Sequence, residues 1–235
     1  MILSLLACGP KHAPVVVVDA NPVTALARAR AEPDPDPMAA GFSIDIEGAE
    51  GKVSARGSLV VFAPDRFRIE IRGPIGPAVV VVVCDGHSAS AWIAGKNRFY
   101  TSADADAALR RLAGGAAGIQ AVTSLLMGRL PDLEGEPMVG PGGLTWERPG
   151  DAFTTQLDPT TAHLRHAVVT ADGRSALEAT WEPGAWPSAM TATLHTMGGV
   201  SVSVDFDDWK AVFPPDSVFS LTAPAGAEVL PFPGG

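Results

Sequence analysis

The chain has 235 residues, of which 46% are hydrophobic and 18% charged, and its formal net charge is −9. That balance describes a globular body of one domain and excludes a disordered chain. It also excludes a nucleic-acid binder, because no basic stripe is available to displace phosphate counterions.

The chain starts with an apolar run that ends in Leu5-Leu6-Ala7-Cys8-Gly9. This is the small-residue pattern at which bacterial lipoprotein precursors are cut. Residues 1–7 therefore read as a lipoprotein signal segment and Cys8 as the lipidation site. Diacylation of the thiol, cleavage after Ala7 and acylation of the new amino terminus would place several acyl chains on one residue. One chain alone binds a bilayer only marginally, so several make a stable anchor. Gly9, not being Asp, favours outer-membrane sorting. The expected location is the cell outer membrane, lipid-anchored and facing the periplasm. With Cys8 acylated, Cys84 has no disulfide partner, and its place after a valine run reads as a small buried hydrophobe.

Residues 8–37 read as a tether. Asn21-Pro22 is a helix-start signal, with a short helix expected over 22–31. Glu32-Pro33-Asp34-Pro35-Asp36-Pro37 then alternates proline with acid, which enforces an extended spacer. The folded body is expected over 38–221, and 222–235 reads as a Pro/Gly-rich tail.

Strand signals follow at 42–47, where apolar and polar residues alternate cleanly, then at 53–62, 66–71, 78–83, 88–93 and 98–100. The period then changes. Ser102 can cap a helix whose apolar face carries Leu109 and Leu112, and Gly114-Gly115 ends it. A second helix carries Ile119, Val122, Leu125, Leu126 and Met127. After a Pro/Gly-rich loop over 131–143, strands resume at 144–147, 153–157, 164–170, 175–181, 189–195 and 200–209. An edge strand over 218–221 is expected in the tail. About six strands, two helices and six more strands give an α+β fold. It is expected as one large curved antiparallel sheet, an open half-barrel, with a helical lid inserted mid-chain.

Enzymatic motifs are absent from the sequence, and no catalytic residue, cofactor or metal is expected. His163-x-x-His166 lies in a strand-like stretch, where the two side chains would point to opposite faces. The unusual feature is apolar excess. Positions 78–83 are apolar throughout, so both faces of that strand must be covered by protein or offered to an apolar ligand. Ile75, between Pro74 and Gly76 in a tight loop, reads as an exposed apolar residue able to dip into a lipid surface.

The segments Asp65-Arg66-Phe67-Arg68-Ile69-Glu70-Ile71-Arg72-Gly73-Pro74-Ile75-Gly76 and Arg98-Phe99-Tyr100-Thr101-Ser102-Ala103-Asp104 carry a family resemblance. It continues through Leu125-Leu126-Met127-Gly128-Arg129-Leu130-Pro131 and from Pro187-Ser188-Ala189-Met190 to Val204-Asp205-Phe206-Asp207-Asp208-Trp209. In this order the chain resembles the LolB-like outer-membrane lipoprotein receptors of the LolA/LolB lipoprotein-localisation superfamily, over residues 40–210. The acidic-proline spacer and the tail beyond Trp209 are not typical of that family.

The resemblance implies a hydrophobic cavity between half-barrel and lid that takes the acyl chains of a client lipoprotein or phospholipid. The cavity-lining candidates are Val79, Val81, Val83, Leu109, Leu112, Val122, Leu125 and Leu126. It also implies a membrane-engaging loop at Gly73, Pro74, Ile75 and Gly76. A monomer is expected, with a LolA-like periplasmic carrier as partner. The alternative reading is an envelope scaffold without enzymatic activity, or a transporter of another lipid on the same fold.

Overall fold

The computed structural model describes residues 21–49, 51–73, 77–112, 117–182, 184–195 and 198–232. Helix α1 (Pro22–Ala31) starts where the sequence predicts, with proline in its first turn and the Asn21 side chain accepting from the Val23 N–H at 2.9 Å. An antiparallel meander follows: β1 (Met38–Gly48), β2 (Gly51–Phe62), β3 (Arg66–Arg72), β4 (Ala78–Asp85), β5 (Ala89–Ile93) and β6 (Arg98–Ser102). Helices α2 (Ala105–Leu112) and α3 (Ile119–Leu126) come next. A second meander comprises β7 (Met138–Gly140), β8 (Gly143–Arg148), β9 (Asp151–Leu157), β10 (Leu164–Ala171), β11 (Arg174–Trp181), β12 (Ala189–Leu194) and β13 (Val200–Phe206). β14 (Lys210–Ala211) pairs with the start of β1, and β15 (Glu228–Pro231) lies parallel to β6.

Pairing of β1 with β13 joins the two meanders into one open 15-stranded sheet. Its order is β15-β6-β5-β4-β3-β2-β1-β13-β12-β11-β10-β9-β8-β7. This order explains the helices. β6 lies next to one edge and β7 forms the other, so the chain between them has to cross the whole sheet. It crosses as α2 and α3, which lay their apolar sides on one face, called the inner face below.

Two buried clusters hold that face. In the first, Phe42, Leu59, Val61, Phe67 and Cys84 of the sheet meet Leu109 of α2 and Ile119 and Met127 of the α3 segment. In the second, Leu144, Trp146, Phe153, Leu164 and Trp181 meet Leu125 of α3 and Leu26 of α1. Helix α3 thus bridges the two halves, and the Trp181 indole donates to the Leu125 carbonyl at 3.0 Å. Each fully buried side chain of this size stabilises by about 1.5–3 kcal/mol. Gly57 has a steric role in the first cluster. The Phe42 ring lies where any Cβ at position 57 would stand, so only glycine admits it.

Two expectations for the flanking segments are corrected. Residues 218–221 do not form an edge strand; a single 3₁₀ turn spans Asp216–Phe219, and the added strand is β15, inside the stretch read as tail. Nor is the region before Met38 simply a spacer. Ala25 and Leu26 are buried against the second half of the sheet. Arg28 donates to the carbonyls of Pro159 and Thr160 at 3.0 and 2.8 Å, and Arg30 pairs with Glu136 at 2.8 Å. Leu26 supplies the apolar contact that turns a weakly amphipathic helix into part of the body.

Candidate functional site

The valine strand β4 is covered on both faces, as its composition requires, but by different material. Val82 and Cys84 point inward to the first cluster. Val81 and Val83 point outward and pack under Phe219, with Val60, Phe62, Trp92, Val218 and Leu221 around them. Val79 falls at a register shift, where Ile71 pairs with Val80 and Arg72 with Ala78, and it is exposed. The cavity-lining assignment of Val79, Val81 and Val83 is therefore corrected: strand alternation puts the opposite set, Val80, Val82 and Cys84, on the helix side. Cys84 is fully buried, and burial, reinforced by the adjacent Asp85 charge, pushes its thiol up to about 12. It packs as a protonated hydrophobe, unreactive at neutral pH.

Leu109, Val122, Leu125 and Leu126 do lie on the helix sides that meet the sheet, Leu109 and Leu125 buried, Val122 and Leu126 half-buried. The Leu112 side chain lies outside the described residues, as do Cys8, Pro74, Ile75 and Gly76. Gly73 closes the described part of its loop directly after β3, half-buried.

The helical lid is short, and one polar node ties its two helices to each other. Asp104, rather than Ser102, caps α2, its carboxylate accepting from the Ala107 N–H at 2.9 Å; Ser102 instead accepts from the Asp104 N–H. Asp106 joins the two helices, accepting from Arg110 Nε at 2.6 Å and from the Ile119 N–H at 3.0 Å. Burial works to raise the Asp106 carboxyl, but the Arg110 guanidinium and the Ile119 amide outweigh it and hold the group below the ordinary value. Gly118 has no room for a side chain, because Asp106 Oδ1 fills the position of any Cβ there. Helices α2 and α3 have eight residues each. Isolated helices below about 12–15 residues are marginal in water, so this lid keeps its shape through its contacts with the sheet.

Beyond the lid, the inner face continues as an apolar strip that the helices only half cover. Ile46, Ala55, Ile69, Ile71 and Val202 are half-buried there, packed against the first cluster. Val53, opposite Ile46 on β2, is 63% exposed. The pairing of β2 with β3 ends at Arg56 and Arg72, so the β1–β2 hairpin runs on past β3 with its apolar side uncovered. The loop that contains Ile75 leaves and re-enters the sheet at Arg72 and Ala78, at this same end.

Two openings flank the opposite end of the lid. A cleft of about 740 Å³ between α1, α3 and the 129–136 segment is lined by charged groups, among them Arg30, Glu32, Asp34, Arg129, Asp132 and Glu136. Here His163 is buried, its Nδ1 2.7 Å from the Gly184 carbonyl and its Nε2 3.2 Å from Glu32. Arg129 donates to the Pro33 carbonyl at 2.8 Å and meets the Glu32 carboxylate at 3.3 Å. His163 and Arg129 thus clamp the end of α1, while His166 is on β10 beside Glu178. The second opening, about 800 Å³, is a groove formed by Trp186, Pro187, Ser188, Phe206, Asp207, Asp208, Trp209 and Lys210. The sequence reading places Phe206 and Trp209 in one strand over 200–209; β13 instead ends at Phe206, and the β12–β13 pairing brings Trp209, beyond it, against Trp186. Among the described residues, no group of three or more His, Cys, Asp or Glu is placed to hold a metal, and no helix is long and apolar enough to cross a membrane.

An open, mostly antiparallel sheet with helices across its inner face defines the α+β half-barrel class. Neither a family model nor a curated protein sequence matches the chain. Solved structures do. A LolA superfamily protein from Nitrosomonas europaea is similar with a TM-score of 0.54 at 13% identity, over 85% of this chain and 96% of that one. An outer membrane lipoprotein-sorting protein domain from Vibrio parahaemolyticus is similar at 0.52 and 10% identity, over 83% and 94%. A DUF1329 family protein from Desulfovibrio piger reaches 0.56 at 10% identity, over 86% and 97%. At these identities the likeness establishes the fold.

Proposed function

We propose that this protein is a lipid-handling lipoprotein of the bacterial envelope, which takes acyl chains against its inner face. Anchored through Cys8, it accepts lipoproteins at the outer membrane. The observation that carries the reading is the apolar strip of Ile46, Val53, Ala55, Ile71 and Val202, continuous with the layer under α2 and α3. Helices this short give up little intrinsic stability when an acyl chain replaces their contacts, each transferred CH₂ being worth ~0.8 kcal/mol. Proteins of similar shape include a LolA superfamily protein and a domain named for outer membrane lipoprotein sorting, which supports the same direction.

The test is native mass spectrometry of the full chain incubated with an acylated lipoprotein or a phospholipid. Stoichiometric adducts are expected, and Val53→Asp should abolish them while leaving the circular dichroism unchanged. A folded wild-type chain that gives no adduct would support the scaffold reading instead. Delivery is tested separately: Ile75→Glu should fold normally and bind lipid, yet impair transfer to vesicles, and unchanged transfer would remove that loop from the mechanism.

A further inference from the structure

The groove at the β12–β13 end of the sheet has a composition that the acyl-binding reading does not use. Trp186 and Trp209 stack with ring centroids 5.3 Å apart and planes 25° apart, and Phe206 leans on Trp209 at 5.2 Å. The stack is fixed from behind, since the Trp209 indole donates to the Pro187 carbonyl at 2.9 Å and the Phe206 N–H to the Ser188 carbonyl at 2.8 Å. All three rings are half-buried and rest on the first cluster, so the groove opens directly beside the lid. Among the described residues no arginine or lysine lies over either indole; the cation–ring contacts are those of Arg66 on the outer face.

Charge is placed at the rim with both signs. Asp207, Asp208 and Lys210 are all exposed on the groove wall. Among the described residues, none of these three side chains makes a hydrogen bond or an ion pair. Asp207 is held by its backbone, its N–H donating to the Gly41 carbonyl at 2.8 Å, and Gly41 leaves room for the carboxylate beside it. Aromatic faces attract an organic ammonium, and more strongly when water is partly excluded. A neighbouring carboxylate adds to that attraction, and a lysine is a point charge suited to phosphate.

We propose that this groove binds the zwitterionic headgroup of a phospholipid, its ammonium at the Trp186–Trp209 rings beside Asp207 and Asp208 and its phosphate at Lys210. The proposal rests on the acyl-binding reading, because the acyl chains of the same molecule would run from the groove under the lid. It makes the headgroup, rather than chain length, the basis of selection.

The experiment titrates the full chain, followed by tryptophan fluorescence and calorimetry, with three soluble probes. These are dihexanoyl phosphatidylcholine, dihexanoyl phosphatidylglycerol, and phosphocholine without acyl chains, each below any micelle concentration. The choline lipid should bind about tenfold more tightly than the glycerol lipid, since only it presents a cation to the rings. Asp207→Asn with Asp208→Asn should shrink that preference, since the carboxylates attract the ammonium of the choline lipid and repel the net negative charge of the glycerol lipid. Lys210→Met should weaken both lipids equally, because both carry the phosphate. Equal affinities in the wild type, or a preference undiminished in the double variant, would overturn headgroup recognition while leaving acyl binding in place. Binding of phosphocholine with no binding of either lipid would overturn the lipid source. Failure of all three probes would overturn both readings.

Discussion

The two faces of β4 are closed in opposite ways. Inward, Val82 and Cys84 are covered by two eight-residue helices tied together at Asp106, and the strip beyond them is half open. Outward, Val81 and Val83 are covered by the chain beyond β14, where Phe219 is buried to 2% exposure. That outer strap is fastened at several points. Arg66 reaches Asp216 at 2.9 Å and lies 4.1 Å from the Phe62 ring centroid, and Arg68 donates to the Val218 carbonyl at 3.1 Å. One cover is thus a plugged, cross-fastened seal, and the other a short helical pair whose members meet at one polar node and which the Trp181 indole ties to the sheet. If acyl chains enter on the inner face as proposed, the outer strap is the cover that stays fixed and the helical pair is the one that gives way.

The largest effect should come from breaking the seal. Phe219→Ala removes a buried aromatic and should cost about 3–5 kcal/mol, read as a lowered denaturation midpoint. Lipid adducts should persist wherever the variant remains folded; their loss would mean that the outer strap also shapes the inner face. Next comes the node. Gly118→Ala drives a methyl into Asp106 and should cost about 1–3 kcal/mol. Its sharper signature is local: mass-mapped alkylation of Cys84, blocked in the wild type, should appear in this variant under native conditions.

The pH response is smaller and has a definite sign. The folded Asp106 carboxyl lies below its ordinary value of 3.8, so its contribution is fully present above that value and is lost as pH falls through the lower, folded one. Hydrogen exchange over 105–126 should be unchanged between pH 5 and 8 after correction for intrinsic rates, and should accelerate only below about pH 4. Asp106→Asn should remove that acid-dependent step. The smallest effect is expected at the surface pair of α1: Arg30→Ala should change stability by less than about 1 kcal/mol, as exposed pairs do. A larger loss would show that α1 holds the second half of the sheet in place.

Much of the fold was legible because period-2 alternation is a local property. The strands at 42–47, 66–71 and 164–170, and both lid helices, stand where the sequence predicts. What was illegible is what alternation does not encode. The run 78–83 is apolar at every position, so it carries no label for inside or outside, and only the packing under Phe219 shows that Val81 and Val83 face out. The tail's proline punctuation hid β15, whose parallel pairing with β6 is a contact across more than a hundred residues. Helix α1 was visible as a helix but not as part of the body, since Leu26 is its one large buried side chain. The aromatic groove needed the β12–β13 register, which places Ala189 opposite Asp205 and so draws Trp186 and Trp209 together.

The docking of α1 has a mechanical consequence. A chain free from Cys8 to Met38 would be a leash of 30 residues, reaching about 100 Å when fully extended. With α1 seated, the greatest possible span from the proposed anchor at Cys8 to Asn21 is about 45 Å. Under the proposed anchoring at Cys8, the clamp that Arg129 and His163 place on the end of α1 would hold the whole sheet within that distance of the bilayer.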